Sequence, residues 1–373
     1  MTEIASIGEF RLISRLTSSL QTTNPSTVKG VGDDCAVISA PQGMHTLVTT
    51  DLLMEGVHFD LTYVPLRHLG WKAVIVNLSD IYAMGGTPQQ ITVSLAISKR
   101  FSVEDIEELY EGMRLACEEY HVDIVGGDTT SSFTGLAISI TAMGYARPEE
   151  IIPRSGAHDT DVICVSGNLG AAYLGLQLLE REKGIYNQQL AEARAAHNKE
   201  LLDELRQAQP DFAGREYLLQ RQLRPEARRD ILQSIRQASI HPTAMMDISD
   251  GLSSELHHIC QQSNCGCRIY EERIPLDYQT AAAAEELNLN VTTCALNGGE
   301  DYELLFTIPL AEHDIVQQIP DIHPIGYITP RGQGLQLVTR DGQEFALRAL
   351  GWGQPANHPS EGPGTDNEEE KTK

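Results

Sequence analysis

Two hydrophobic patterns alternate along the first part of the chain. Apolar residues occupy every second position of 90–97, which is the period of a strand with two unequal faces. In 67–86 they recur at helical spacing until two adjacent glycines, which predicts a helix and its end. The same patterns predict helices over 7–20 and about 103–119, and strands over 46–50, 122–127 and 135–146. Strands interleaved with helices favour an α/β or α+β domain.

A second region of mixed strands and helices follows a polar stretch at 147–161 that contains Pro and Gly. Residues 161–179 read as strand, glycine turn and helix. Such a turn can offer backbone N–H groups to a phosphate, but it is equally common without one. Further patterns predict a strand at 244–249, a helix at 251–263 and a strand at 303–308. We therefore predict two domains, 1–147 and 148–353.

One long polar stretch exceeds what the second domain needs. Residues 187–238 are rich in Ala, Gln, Glu, Arg and Leu, and they predict a helical insertion over about 183–240. This insertion would cover a cleft, extend a dimer interface or have no specific role. The basic segment 221–231 has two interpretations, either a feature that precedes a later strand of the second domain in related proteins or a solvated helix face. The acidic tail 354–373 has no apolar periodicity and is predicted to be disordered.

The charge balance restricts the partners. There are 52 acidic and 28 basic residues, a net charge of −24, which argues against nucleic acid or an anionic membrane as a partner. Phosphorylated ligands remain compatible, because metal ions can bridge carboxylates and phosphates. No signal peptide and no run of 18 apolar residues is present, so we expect a cytoplasmic protein.

The seven cysteines are scattered and do not form a disulfide framework. Cys260, Cys265 and Cys267 lie close together in sequence. No second Cys/His pair with zinc-finger spacing follows them, which argues against a zinc site.

Acidic residues beside Gly, Ser or Thr recur at predicted ends of elements. Any one of them is also ordinary turn or cap chemistry. If they converge, two carboxylates 4 Å apart repel by about 4 kcal/mol at an effective dielectric near 20, against a domain stability of about 5–15 kcal/mol. Because basic residues are scarce around them, a convergent set needs several metal ions, and oxygen-only ligands suit Mg²⁺. The motifs are 31-VGDD-34, 49-TTD-51, 77-NLSD-80, 126-GGDTT-130, 247-DISDG-251 and 298-GGEDYE-303.

Three common motifs for calcium or phosphate are absent. A calcium-binding EF-hand loop starting at Asp247 would need Gly at position 6 and Glu at position 12, where the chain has Leu252 and His258. No Gly-Lys dipeptide of a P-loop occurs. The H-R-D and D-F-G signatures of protein kinases are also missing.

The ordered series VGDDCAVI, TTDLLMEGVHF, NLSDIYAMGG, IVGGDTT, RSGA, DISDGL and GGEDYELLF resembles the thiamine-monophosphate kinase family. This family belongs to the aminoimidazole-ribonucleotide synthetase superfamily, and the resemblance covers about 6–353 except most of 183–240. It implies a two-domain fold whose N-terminal domains pair across a homodimer into a β-barrel. It also implies ATP-dependent phosphorylation of thiamine monophosphate in a cleft between the N-terminal domain and a C-terminal α/β domain.

The resemblance implies three groups of site residues. The magnesium ligands would be Asp34, Thr49, Thr50, Asp51, Asp80, Asp128, Asp247 and Asp250. ATP would contact Gly127, Asp128, Arg154, Ser249 and Tyr110. Thiamine monophosphate would contact His58, Glu300 and Trp352.

Three of these residues also have a purely structural interpretation. Trp352 would instead be a core tryptophan, His58 a turn histidine and Arg154 the partner of an interdomain acid. Family members often end in G-W/Y-D-H-F, whereas this chain has 351-GWGQP.

The implied reaction suits the residue types. The attacking group is a phosphate monoester, already largely dianionic at pH 7, so no strong general base is required. Metal-bound Asp128 and Arg154 would offset the charge of the transition state. The cationic ring of thiamine would lie on Trp352 by cation–π attraction, with Glu300 adding opposite charge.

Two rival interpretations remain open. One is another superfamily enzyme, such as selenophosphate synthetase or a hydrogenase-maturation factor, although residues 1–30 lack the Cys of the former. The other is a non-catalytic protein that binds nucleotide or metal.

Overall fold

The computed structural model describes residues 9–31, 35–207 and 210–348. Asp34, Trp352 and the predicted tail 354–373 lie outside these ranges. The strands are β1 (Thr27–Lys29), β2 (Val37–Ile38), β3 (His45–Met54), β4 (Thr87–Ser98), β5 (Asp123–Ser132), β6 (Leu136–Ala146), β7 (Val162–Ser166), β8 (Ala244–Asp247), β9 (Cys265–Tyr270), β10 (Leu304–Ile308), β11 (Ile322–Pro330), β12 (Leu335–Val338) and β13 (Glu344–Ala346). The helices are α1 (Glu9–Thr17), α2 (Leu66–Ala83), α3 (Val103–Tyr120), α4 (Ala171–Ala195), α5 (Lys199–Gln207), α6 (Glu216–Leu223), α7 (Arg229–Gln237), α8 (Leu252–Ser263), α9 (Tyr278–Glu286), α10 (Val291–Asn297) and α11 (His313–Val316).

The first domain is built on a four-stranded sheet in the order β3-β6-β4-β5. Only the β4–β5 pair is parallel; β3–β6 and β4–β6 are antiparallel. Alternate residues of β6, such as Ile138 and Ile140, point into the core with the helices, because successive side chains of a strand face opposite sides. The opposite face of β3 leaves Val48, Leu52 and Met54 exposed.

Helices α2 and α3 cross where each carries a glycine. A Cβ on Gly70 would lie 2.0 Å from the carbonyl oxygen of Leu109, and one on Gly112 would lie 1.9 Å from that of Arg67. The two backbones therefore approach too closely for any side chain at these positions. Helix α2 is buried on most of its circumference, because it also contacts β8 of the second domain.

The second domain is built on a seven-stranded sheet in the order β13-β12-β9-β11-β7-β10-β8. Helices α4–α7 lie between β7 and β8 in sequence, in agreement with the predicted helical character of 183–240. The idea of a solvated basic face at 221–231 is wrong for two residues. Arg228 is buried, the side chain of Arg221 is only 13% exposed, and both pair with Glu303, which is 1% exposed.

The prediction that the acidic motifs mark the ends of elements is wrong for Asp51 and Asp128. Asp51 lies inside β3 and Asp128 inside β5. Both strands continue because their backbones pair along their full length, β3 with β6 and β5 with β4, and a ladder of backbone hydrogen bonds tolerates polar side chains. Within the described ranges, none of the helices combines the length and the hydropathy of a transmembrane segment.

Candidate active site

Two cavities lie between the domains. The larger, of about 1090 Å³, is bounded by β3 and the following loop, by α2 and α4, and by the segments 247–250 and 297–302. The smaller, of about 400 Å³, is bounded by β3, the end of α2, Arg154 and β8. Asp80 and Asp247 line both cavities. This pair is therefore the place where the contents of the two cavities can meet.

Each member of the pair is held by a neighbouring hydroxyl group. Asp80 lies in the last turn of α2, and the Thr49 hydroxyl donates a hydrogen bond of 2.6 Å to its Oδ2. Asp247 is the last residue of β8 and is 3% exposed. The Ser79 hydroxyl donates to its Oδ2 at 2.6 Å. One helix and one strand thus present two oriented carboxylates from different domains.

The carboxylates have the electrostatics of groups that need a cation. Burial, followed by repulsion from Asp80, raises the pKa of Asp247 to about 7 and that of Asp51 to about 6. Burial also raises the pKa of Asp80, although Thr49 and Arg154 act in the opposite direction. Each of these shifts reports a charge that the protein alone does not fully stabilise.

The donor set fits Mg²⁺. Asp51, Asp80, Asp247 and Asp250 contribute only oxygen atoms to the larger cavity. Over the described ranges, no three His, Cys, Asp or Glu side chains form a ready-made metal cage. Magnesium usually takes one or two carboxylates together with substrate phosphates and waters, so an incomplete set of protein ligands suits it.

Glu255 organises the loop that carries Ser249 and Asp250. Its Oε1 accepts hydrogen bonds from the backbone N–H groups of Ser249 (3.1 Å) and Asp250 (2.8 Å), just before α8 begins. Glu255 is 1% exposed, and burial raises its pKa to about 7. The loop is therefore fixed from below while Ser249 and Asp250 face the larger cavity.

Glu300 is paired on both carboxylate oxygens. Lys72 of α2 lies 2.9 Å from Oε1, and the Gln222 side chain of α6 donates to Oε2 at 2.9 Å. The backbone of Glu300 has a φ of +58°, and its N–H donates to the carbonyl oxygen of Ser249 at 2.7 Å. Glu300 lines the larger cavity but is not a free charge.

The loop after β3 forms the other wall of the larger cavity. The Nδ1 of His58 accepts a hydrogen bond from the backbone N–H of Met54 at 3.0 Å, which is the contact expected of a turn histidine. The same side chain also lines the larger cavity. The hydroxyl of Tyr63 donates to Glu180 of α4 at 2.5 Å, and Lys183 pairs with Asp60 at 2.6 Å. These contacts join the loop of the first domain to α4 of the second.

Comparison with known proteins agrees with this architecture. The model of the AIR synthase related protein N-terminal domain matches residues 32–146, and that of the C-terminal domain matches 188–335. The thiamine-monophosphate kinase of Bacillus subtilis is 32% identical over 354 residues, which is 93% of this chain and 99% of that protein. The chain belongs to the thiamine-monophosphate kinase family. The family predicted from the sequence is therefore confirmed, as is its two-domain α/β fold.

Two solved structures of the family match most of the chain. The thiamine-monophosphate kinase of Stenotrophomonas maltophilia is 30% identical, with a TM-score of 0.73 over 90% of this chain and 98% of that one. A structure described as AaThiL complexed with AMPPCP and TMP is 31% identical, with a TM-score of 0.69 over 94% of this chain and 98% of that one.

Most of the residues that the family resemblance implies line the two cavities. They are Thr49, Asp51, His58, Asp80, Arg154, Asp247, Ser249, Asp250 and Glu300. Asp34 and Trp352 lie outside the described residues, so their roles stay predictions.

Four implied residues lie elsewhere. Thr50 is on the opposite face of β3 from Thr49, where its hydroxyl donates to the carbonyl oxygen of Ile140 at 3.0 Å. Adjacent strand residues cannot both face one site, so the predicted metal role of Thr50 is wrong for these two cavities. Gly127 and Asp128 are exposed on β5, an edge strand, and line neither cavity. Tyr110 packs against the first core and also lines neither.

Four residues that support the site were not predicted from the sequence: Ser79, Lys72, Gln222 and Glu255. Ser79 stands directly before Asp80, and an Asp-Ser contact across domains has no local signal. Lys72 was detectable as the one charged residue in the apolar stretch 71-WKAVIV-76. Gln222 and Glu255 acquire their roles only from long-range packing.

Proposed function

We propose that the protein transfers the γ-phosphoryl group of ATP to the phosphate of thiamine monophosphate, giving thiamine diphosphate and ADP. The observation that carries the proposal is the Asp80–Asp247 pair, which borders two cavities at once. A reaction between two phosphorylated ligands needs this arrangement, with one ligand on each side of the carboxylates. The kinase named for the Bacillus subtilis relative and the AMPPCP and TMP of the related complex support the same reaction.

The larger cavity would hold thiamine monophosphate. Its wall combines apolar and aromatic side chains, such as Phe59, Tyr63 and Tyr173, with acidic ones, which suits a cationic aromatic ring. The phosphate of the substrate would then point towards Asp80 and Asp247. The smaller cavity would hold the terminal phosphates of ATP beside the Arg154 guanidinium.

In the transfer, an oxygen of the substrate phosphate attacks the γ-phosphorus while the bond to the β–γ bridging oxygen breaks and ADP leaves. The residues lining the cavities bind and align the two anions, and no side chain needs to remove a proton. Asp51, Asp80, Asp247 and Asp250 would hold Mg²⁺, with Thr49 and Ser79 fixing two of these carboxylates. Bound Mg²⁺ would supply charge neutralisation and alignment of the phosphates.

Asp34, Asp128, Gly127, Tyr110 and Trp352 remain candidate ligands from the family resemblance. Asp128 and Gly127 lie on the exposed edge of the first sheet, so their role requires ligands that extend beyond the two cavities. A cytoplasmic location likewise remains a prediction.

A homodimer is part of the proposal. Val48 and Leu52 are 64% and 55% exposed on the outer face of β3, beside Met54. An apolar sheet face of this kind is stabilised by covering it with a second copy. Leu52→Glu should convert a dimer into a monomer in sedimentation equilibrium, whereas Leu310→Glu, at an exposed apolar position of the second domain, should not. A monomeric parent protein would refute the dimer.

The direct test of function is formation of ADP and thiamine diphosphate from ATP, thiamine monophosphate and MgCl₂. Turnover must depend on thiamine monophosphate, and Asp80→Asn should reduce kcat at least about a hundredfold, as expected when a stabilising group at the transition state is lost. ATP consumption without thiamine monophosphate would favour another superfamily enzyme. Nucleotide binding without turnover would favour a non-catalytic protein.

A further inference from the structure

The contact between Lys72, Glu300 and Gln222 joins three distant parts of the chain. Lys72 belongs to α2 of the first domain, Gln222 to α6, and Glu300 to the loop before β10. Lys72 and Gln222 are 6% and 4% exposed. We refer to these three residues as the Lys72–Glu300–Gln222 clamp.

Every polar contact in the clamp restricts Glu300. Its two carboxylate oxygens receive Lys72 Nζ and Gln222 Nε2, each at 2.9 Å. Lys72 also donates to the backbone carbonyl of Gln222 at 3.1 Å, which fixes the two donors relative to each other. A carboxylate held on both oxygens cannot follow a ligand, so its position is set before the ligand binds.

The backbone around Glu300 needs such a restraint. Gly299, Glu300 and Tyr302 all have positive φ, and two of them are not glycine. Left-handed backbone at non-glycine residues costs free energy and persists only where the surroundings enforce it. Here the N–H groups of Glu300 and Tyr302 donate to the carbonyl oxygens of Ser249 (2.7 Å) and Ile248 (2.9 Å). The loop is thereby attached to the segment that contains Asp247.

Helix α2 connects the clamp to the Asp80–Asp247 pair. It carries Lys72 and, eight residues later, Asp80. At 1.5 Å per residue this separation is about 12 Å along a rigid axis. The helix therefore helps to set the distance from Glu300 to the carboxylates that border both cavities.

From this geometry we infer that Lys72 and Gln222 are positioning residues, which hold Glu300 at a fixed distance from the Asp80–Asp247 pair and so determine how thiamine monophosphate is seated. The inference rests on the proposed function. Lys72 acts through Glu300 and lines neither cavity, whereas Gln222 also lines the larger one. Loss of the clamp should therefore weaken binding of thiamine monophosphate and leave binding of ATP unchanged.

The test compares Lys72→Met, Gln222→Leu, Glu300→Gln and the double variant Lys72→Met/Glu300→Gln. Lys72→Met should raise the KM for thiamine monophosphate about tenfold, the effect of losing one charged hydrogen bond, with the KM for ATP within about twofold. The double variant should be no worse than Glu300→Gln alone, because Lys72 acts only through Glu300. Lys72→Arg should recover part of the loss. Arg67→Met removes a charge from the exposed side of the same helix and should change neither constant.

Equal increases in both KM values, or effects of Lys72→Met and Glu300→Gln that simply multiply, would overturn the inference. Should Lys72→Met fail to fold, Lys72→Gln supplies the same comparison, because it removes the charge at a residue that lines neither cavity. Urea unfolding of the same cycle distinguishes the two proposals. If the parent protein lacks turnover with thiamine monophosphate, the proposed function is wrong. If the losses of stability in Lys72→Met and Glu300→Gln are additive, the two residues are not coupled and the positioning role of Lys72 is wrong.

Discussion

The hydroxyl of Ser79 donates a 2.6 Å hydrogen bond to Oδ2 of Asp247, which joins the last turn of α2 in the first domain to the end of β8 in the second. Asp247 is almost fully buried. Asp80, which directly follows Ser79 in the chain, is the carboxylate that repels it. This contact therefore lowers the free energy of the charged form of Asp247 where burial and repulsion raise it. It is also a direct interdomain contact at the point where the two cavities meet.

Ser79→Ala should reduce kcat/KM by about ten- to a hundredfold, since a hydrogen bond to a charged group contributes about 1.5–3 kcal/mol. The variant should also need more MgCl₂ for half-maximal activity, because Asp247 loses a donor that favours its charged form. Steady-state rates across a MgCl₂ titration measure both effects. Ser234→Ala, at a serine of α7 whose hydroxyl bonds only to the backbone of its own helix, is the control. Equal kinetics in the two variants would contradict the role of Ser79.

The pair Thr49 and Thr50 gives a prediction with its control built into the sequence. Thr49→Val removes the donor to Asp80 and should lower kcat/KM about tenfold. Thr50→Val has the same change of shape and polarity on the opposite face of β3, and it should remain within about twofold of the parent. Parallel kinetic measurements on the two variants suffice. A larger loss in Thr50→Val would show that the face of β3 towards the cavities is not the functional one.

These two threonines also show which features of the fold and of the site can be predicted from the sequence. The spacing of apolar residues predicted most strands and helices. An element that buries one face has apolar residues at every second position in a strand and at every third or fourth position in a helix, and this pattern is visible within a short stretch of sequence. Period 2 in the predicted strand 46–50 already places Thr49 and Thr50 on opposite faces, but the family resemblance assigned both to the metal site. The grouping of Asp51, Asp80 and Asp247 followed from the family motifs. Gln222 could not be found in this way, and Lys72 could be found only as a charge in an apolar stretch, because their partner Glu300 is more than seventy residues away from each in sequence.

Binding of Mg²⁺ should release protons at neutral pH. The pKa of Asp51 is raised to about 6 and that of Asp247 to about 7, from an ordinary value of 3.8. Metal binds the deprotonated carboxylates, so its apparent affinity should fall as the pH falls through 7 and then 6. Calorimetric titration with MgCl₂ in two buffers of different ionisation enthalpy measures the released protons. The same affinity at pH 5.5 and pH 8 would rule out these carboxylates as ligands.

The same shifts give the metal-free protein a pH-dependent stability with a definite sign. Between about pH 4 and pH 7 the folded chain retains protons on Asp51 and Asp247 that the unfolded chain has released. The free energy of unfolding contributed by these groups therefore falls as the pH rises through this window and is constant above it. Asp51→Asn should flatten the dependence, as measured by urea unfolding in EDTA.

Arg228→Met should destabilise the second domain strongly. Glu303 is 1% exposed and receives the guanidinium groups of Arg228 and Arg221 together with the hydroxyl of Ser166. Removing one cation leaves a buried carboxylate with incomplete compensation, which costs about 3–5 kcal/mol. Urea unfolding should show this loss, while Arg331→Met, which removes an exposed guanidinium bonded to Asn264, should change the free energy of unfolding by less than about 0.5 kcal/mol.

Arg228→Lys keeps the charge and should fall between the two, because a single ammonium cannot bond Glu303 and Asp230 with the geometry of the guanidinium. If Arg228→Met loses no more than the Arg331 control, Arg221 alone compensates Glu303 and the buried network is redundant.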